Sequence, residues 1–224
     1  MSVIIEFNPR EKQILTESWT KARRIGDGTE SVCHQIANYV YKVFNGKFNT
    51  TYDETLFNNL NLISFLFPEE VYISDNKIFA SKTRYIQNLI YEKRVYAGIL
   101  PDIDKIKSAL PQLIEDIYVL SQNNILAIDL AWRNLLFDGK NLYVIDTMNY
   151  TRNISHSPTD TYRWNIEHLV LAIFEFTTAY EEVCKKKNIP LSEVKRKTLY
   201  ELPSYTKKVA EKIKNEYINK CAQK

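Results

Sequence analysis

At 224 residues, with 45% apolar and 12% aromatic side chains, the chain is long enough for one core or for two small lobes. A net charge of +3 is too small to argue for nucleic acid. No apolar run reaches the roughly eighteen residues of a membrane span, and Glu6, Arg10, Glu11 and Lys12 interrupt any early stretch that could serve as a signal peptide, so a cytoplasmic protein without a transmembrane segment is expected.

Strand-forming residues dominate from about Trp19 to Phe44. Within them, Ile25-Gly26-Asp27-Gly28-Thr29-Glu30-Ser31-Val32-Cys33 places two of the chain's 5 glycines one residue apart, ahead of a β-prone run. That pattern suits a strand-turn-strand flap whose backbone amides approach phosphates, and it also suits a plain turn. Asn38 to Phe44 then alternates aromatic and β-branched residues around one charge, Lys42. Inside a sheet such a charge calls for a partner; on an edge strand it would face solvent. A helix is predicted over about 52–66, opening on Asp53 and Glu54, where an acid stabilises the helix dipole; Asn58 follows Glu54 one turn along. Val71 to Phe79 reads as a hairpin with a polar turn.

Pro101 to Ser121 is predicted mainly helical. After it, Asp129 and Asn134 lie five positions apart among Ile125, Leu126, Ile128, Leu130, Leu135 and Leu136, which would bury the segment and hold it rigid. Asp138-Gly139 marks a hairpin between strand-forming runs at 134–137 and 142–145, and the return strand would deliver Asp146 beside Asn134. Two carboxylates and an amide oxygen suit Mg²⁺, which takes one or two carboxylates from protein and its remaining ligands from phosphate and water. An ordinary hairpin with polar ends is the alternative. From Tyr162 to Lys186 a long helix carries Ile166, Leu169, Val170, Ile173, Phe174 and Phe176 as an apolar band, and a last helix is predicted from Pro203 to about Lys220.

Cys33, Cys184 and Cys221 are far apart without metal-like spacing, and His34, His156 and His168 form no ligand pair, so free thiols are expected and neither zinc nor a disulfide framework. Positive charge concentrates late in the chain, at Lys185-Lys186-Lys187, Lys195-Arg196-Lys197, Lys207-Lys208, Lys212, Lys214, Lys220 and Lys224. Either a solvated helical face or a docking surface for an acidic partner or membrane headgroups accounts for it.

The order of flap, Lys, Asp, Asn and Asp resembles the protein-kinase-like superfamily of eukaryotic or Hanks type, and Leu113 to Ile125 is similar to the helix that enters its catalytic loop. The resemblance implies an α+β, two-lobed fold. Residues 1–86 would form a small antiparallel N-lobe with the helix at 52–66; residues 87–224 would form a mainly helical C-lobe with the catalytic loop at 127–146, the two making one domain. It further implies ATP and Mg²⁺. Ile25, Gly26, Asp27 and Gly28 would cover the phosphates, with Ser31 where the family has its third glycine; Lys42 would hold the α- and β-phosphates and Glu54 would fix Lys42. The segment from Arg84 to Leu89 would be the hinge that pairs with adenine. Asp129 would orient and deprotonate the attacking hydroxyl, Arg133 would neutralise the γ-phosphate, and Asn134 and Asp146 would hold Mg²⁺.

The departures narrow the kind of kinase. Ala127-Ile128 replaces the family's His-Arg, and Asp146-Thr147-Met148 replaces Asp-Phe-Gly. Asp160 resembles the buried Asp that opens the long C-lobe helix, yet only 14 positions separate 146 from 160, too few for an activation segment with its Ala-Pro-Glu anchor. The chain is thus similar to minimal bacterial or effector kinases without a full activation segment, with delivery into a host cell left open. The expected activity is transfer of the γ-phosphate to a protein substrate, on Ser/Thr in preference to Tyr, although Ala131 and Arg133 resemble the tyrosine-kinase loop. The alternatives are a small-molecule phosphotransferase of aminoglycoside or choline kinase type, which would carry His at position 131 and an acidic C-lobe insertion, and a pseudokinase binding module.

Overall fold

The computed structural model describes residues 2–27, 30–46, 52–87 and 89–222, without the side chains of 221 and 222. The architecture is α+β, with a mixed six-stranded sheet and five helices among the described residues. Two compact units divide the chain: a sheet unit of Met1–Asn59, Leu66–Gln87 and Thr147–Asn149, and a helical unit of Leu60–Phe65, Asn88–Asp146 and Tyr150–Lys224.

The sheet unit begins with β1 (Val3–Glu6) and α1 (Pro9–Thr20), neither of which the strand propensities foretold. Trp19 therefore lies in a helix, where the sequence reading starts its run of strands. Local signals favour α1: Asn8 accepts from the Glu11 amide at 3.0 Å, Glu11 returns a bond to the Asn8 amide at 2.9 Å, and Pro9 occupies the first turn, where its missing N–H costs nothing. Strands β2 (Arg23–Asp27), β3 (Ser31–Ile36), β4 (Tyr39–Phe44), β5 (Glu70–Ser74) and β6 (Lys77–Arg84) complete the sheet in the order β1-β5-β6-β4-β3-β2. All neighbours are antiparallel except β1 and β5. The hairpin between β5 and β6 turns at Asp75 and Asn76, both left-handed at φ 53° and 58°, residue types that tolerate this backbone.

Strand alternation sorts the sheet into two faces. On one, Trp19 packs with Tyr72, Phe79 and Ala80, flanked by Tyr41 and Val43. On the other, Phe44 and Val71 pack with Met148 from the short 3₁₀ turn at Thr147–Asn149. The first face also carries an ion pair, Lys82 Nζ to Glu70 Oε1 at 2.6 Å, with Tyr72 donating to the same carboxylate. Burial raises the Glu70 carboxyl, but the Lys82 and Tyr72 donors outweigh it and hold the group below its ordinary range.

No helix forms at 52–66 among the described residues; residues 53–59 make turns instead. Asp53 accepts from the amide and hydroxyl of Thr55 at 2.9 and 2.6 Å, and Asn59 is left-handed at φ 64°, so side chain and backbone both compete with the helix.

The helical unit is built on α2 (Glu92–Tyr96), α3 (Ile103–Gln122), α4 (Pro158–Lys186) and α5 (Glu193–Ala222), the last three packed against one another. Their common core includes Leu113, Ile117, Leu169, Ile173, Leu199 and Leu202, each 1% exposed or less. Helix α5 starts ten residues before Pro203, the position from which the sequence predicts it. Pro203 prefers a first turn, but burial of Leu199 and Leu202 just before it carries the helix through. Phe174 is 60% exposed and lies outside the buried stripe of α4. Of the late-chain basic residues, 185–187, 195–197, 207, 208, 212 and 220 are exposed, Lys214 is half-buried and Lys224 lies outside the described residues; three of the lysines form i,i+4 pairs with glutamates, such as Lys186 with Glu182 at 2.7 Å. No helix among the described residues is long and apolar enough to cross a membrane.

Asp116 of α3 is buried, accepting from the Ser64 amide at 2.6 Å and from Gln112 at 3.0 Å, and so fixes the segment Leu60–Phe65 to this unit. Burial raises its carboxyl above the ordinary range, against those donors. The two carboxylates then act oppositely. A raised folded pKa contributes stability that is lost as pH rises through it; a lowered one contributes stability lost as pH falls through it. Denaturant midpoints measured from about pH 2 to 7 should show Glu70→Gln flattening the acid-side loss and Asp116→Asn flattening the loss above the ordinary carboxylate range. The same slopes in both variants as in the parent chain would contradict this assignment.

Candidate functional site

Strands β8 (Leu135–Phe137) and β9 (Leu142–Val144) form the hairpin, with Leu135 opposite Val144 and Phe137 opposite Leu142. The turn is set by Asp138, whose Oδ1 accepts from the amides of Lys140 and Asn141 at 2.8 and 2.7 Å, and by Gly139 at φ 96°. Burial raises the Asp138 carboxyl, but these donors and Tyr143 leave it lowered. The hairpin is held from both sides: Ile90 exchanges backbone bonds with Phe137, and the Val144 amide donates to Ser64. The Ile145 amide donates to the Asn134 carbonyl at 3.0 Å, which brings the end of β9 to Asn134 and leaves Asp146 as the next residue.

Asp129 and Asn134 are joined directly. The Asn134 amide nitrogen donates to the Asp129 carbonyl at 2.9 Å and to its Oδ2 at 3.1 Å, while Arg133 donates to Oδ1. This arrangement needs the left-handed backbone of Asp129, φ 63°, and the 3₁₀ turn Trp132–Asn134 that swings the Asn134 side chain back. Asp146 has the same φ of 63°. Asp tolerates that region better than most residues, but the backbone there is sparsely populated and such positions gather at functional sites. Asn134 is buried and the Asp129 side chain is 37% exposed.

Tyr150 reports on both carboxylates. Its phenol is pushed up first by burial and then by the negative charges of Asp146 and Asp129. Asp129, Asn134 and Asp146 thus converge within the helical unit. Because the Asn134 nitrogen is committed to Asp129, its Oδ1, to which no described residue donates, is left as an acceptor. Among the described residues no three His, Cys, Asp or Glu side chains cluster for a metal, so the protein offers two carboxylates and an amide oxygen, a donor set that suits a hard cation completing its shell from a ligand.

The loop is anchored by a residue that the sequence reading does not single out. Asn165 of α4, fully buried, accepts from the Ala127 amide and donates to the Ile125 carbonyl and Ser121 hydroxyl, each at 2.9 Å. Asp160 does not take this role: it is partly exposed in the first turn of α4, where Ser157 donates to it at 2.6 Å and Arg163 lies at 3.5 Å. Position 165 falls between Tyr162 and Leu169 on the helix face that points inward, so an amide in an otherwise apolar stripe was the available signal. The short connection from Asp146 to α4 folds back as β10 (Thr151–Arg152), paired antiparallel with β7 (Ile125–Leu126) just before the loop.

The remaining predicted residues belong to the sheet unit. Ile25 sits at a bulge of β2 between Arg24 and Gly26; Gly26 pairs with Cys33 and Asp27 with Val32, while Gly28 lies outside the described residues. A Cβ built on Gly26 would meet only Cys33 Cβ at 3.7 Å, an ordinary contact, so the fold itself does not require glycine there. Lys42 lies on β4 between Cys33 and Ser81, in the sheet face of Phe44 and Val71, its Nζ 5.4 Å from the Phe44 ring. Glu54 is exposed in a turn.

A scan of protein-family models finds no match for this chain, and a search of curated proteins finds none.

If Asn165 anchors the loop, Asn165→Ala orphans a buried donor and acceptor and should lower unfolding free energy by about 3 kcal/mol in denaturant titration. A loss under about 0.5 kcal/mol would contradict an anchoring role.

Proposed function

We propose that the chain is an ATP- and Mg²⁺-dependent phosphotransferase of protein-kinase-like organisation, acting on a protein hydroxyl, with Ser/Thr preferred to Tyr. The observation that carries this reading is the convergence of Asp129, Asn134 and Asp146, with both aspartates in left-handed backbone and one amide bonded to Asp129. The two carboxylates suit different roles. Asp129, partly exposed, would orient the attacking hydroxyl and accept its proton. Asn134 Oδ1 and Asp146 would hold Mg²⁺, which would neutralise charge on the transferring phosphoryl group. Gly26 and Lys42 would contact the phosphates.

The Arg133 pairing with Asp129 gives the reading its internal tension. That ion pair occupies an oxygen the substrate hydroxyl would need, and it favours the second reading, a nucleotide-binding module that does not transfer phosphate. In the catalytic reading Arg133, 55% exposed, turns from Asp129 to the γ-phosphate when nucleotide binds.

Incubation with labelled ATP, Mg²⁺ and a mixture of protein substrates separates the two. Transfer by the parent chain that falls about a hundredfold or more in Asp129→Ala, with nucleotide affinity kept, is the expected result. No transfer by the parent chain with nucleotide still bound would favour the module. Gly26→Ala should leave thermal stability unchanged, since the fold has room for the methyl, while weakening ATP binding. Unchanged ATP affinity in that variant would remove Gly26 from the phosphate contacts.

A further inference from the structure

The net charge of the chain is unevenly held. Residues of α5 include eight Lys or Arg (195, 196, 197, 207, 208, 212, 214, 220) and four Glu (193, 201, 211, 216), a surplus of four against +3 for the whole chain. The densest part is the turn from α4 into α5, where 185–187 and 195–197 are all basic and exposed. Lys185 and Lys186 are matched by Glu181 and Glu182 at 3.1 and 2.7 Å, but Lys187, Lys195 and Lys197 have no ion pair among the described residues.

Apolar side chains are exposed at this same end of the helical unit: Tyr96 at 47%, Ile99 at 44%, Val194 at 75% and Tyr200 at 54%. They are interleaved with the cations. Lys186 pairs with Glu182, and α2 packs against α4, so the end of α2 lies beside the end of α4. The stem of Lys187 lies across Gly98, where a Cβ would approach its Cδ to 2.7 Å, and Ile189 reaches the same spot. Tyr200 donates to Glu181, which Arg196 also influences.

We propose that this end of the helical unit, Lys185–Lys187 and Lys195–Lys197 with Tyr96, Ile99 and Val194 between them, docks on an anionic lipid surface. Charge alone would serve an acidic protein equally. The exposed aliphatic and tyrosine side chains decide for lipid: they suit the boundary between headgroups and acyl chains, where lysine stems lie along apolar matter and their ammonium groups reach the phosphates. The site is independent of the residues assigned to phosphate transfer.

Co-sedimentation of the full chain with phosphatidylcholine vesicles containing about one quarter phosphatidylserine, at physiological salt, tests it. Binding is expected to these vesicles and not to phosphatidylcholine alone. The variant Lys187→Glu/Lys195→Glu/Lys197→Glu should lose about tenfold in vesicle affinity, while Lys208→Glu/Lys214→Glu/Lys220→Glu, equal in charge change, should keep most of it. Tyr96→Ser/Val194→Ser should bind at low salt and lose binding at physiological salt, with circular dichroism melts confirming that each variant is folded. Equal losses in the two lysine variants would overturn the proposal in favour of general charge attraction. Capture by polyglutamate with no vesicle binding would overturn it in favour of an acidic protein partner.

Discussion

Asn134 is the residue through which the candidate site is held together. Its side-chain nitrogen closes on the carbonyl and carboxylate of Asp129, and its own carbonyl receives the Ile145 amide, so one residue ties the loop before it to the strand after the hairpin. Everything around it restricts movement. Leu135, Leu136 and Phe137 are buried beside it, Ile90 and Ser64 bond to the two hairpin edges, and Asn165 pins the approach to the loop from α4. A buried amide of this kind is costly unless satisfied, and here its donors are satisfied by the groups it must position.

Rigidity of this sort is what phosphoryl transfer asks of a protein, because the chemistry is mostly positioning and charge neutralisation. The left-handed backbone at both Asp129 and Asp146 fits that demand: each conformation is disfavoured locally, and at Asp129 the bonds from Asn134, Arg133 and the Ala131 amide hold it. The brief connection to α4 adds to the constraint, since β10 returns to pair with β7 and leaves little slack between Asp146 and the long helix. Such a chain has few moving parts near the site, and the side chain best placed to move is the exposed Arg133.

Legibility in the sequence followed the range of the interactions. The hairpin around Asp138-Gly139 and the turn at Asp75-Asn76 could be read directly, because a few residues with left-handed tolerance determine them. The capping box at Asn8 and Glu11 is equally local and announces α1, a helix the sequence reading does not assign. The parallel pairing of β1 with β5 joins residues nearly seventy positions apart, which no local pattern encodes. The region 52–66 has helix-compatible composition, yet the Asp53 side-chain turn and the left-handed backbone at Asn59 override it. At the site, Asp129, Asn134 and Asp146 were visible because chemistry and spacing coincide, whereas Asn165 acts from thirty or more positions away and Asp160 imitates its role only in sequence.

Whether Asn134 and Asp146 hold a metal together with nucleotide is the decisive question. Isothermal calorimetry of ATP binding, with Mg²⁺ and with chelator, measures it directly in the parent chain and in Asp146→Asn. Affinity that rises at least about tenfold with Mg²⁺ in the parent chain, and does not respond to Mg²⁺ in the variant, is the predicted result. Binding that ignores Mg²⁺ in both, or no binding at millimolar ATP, would contradict it.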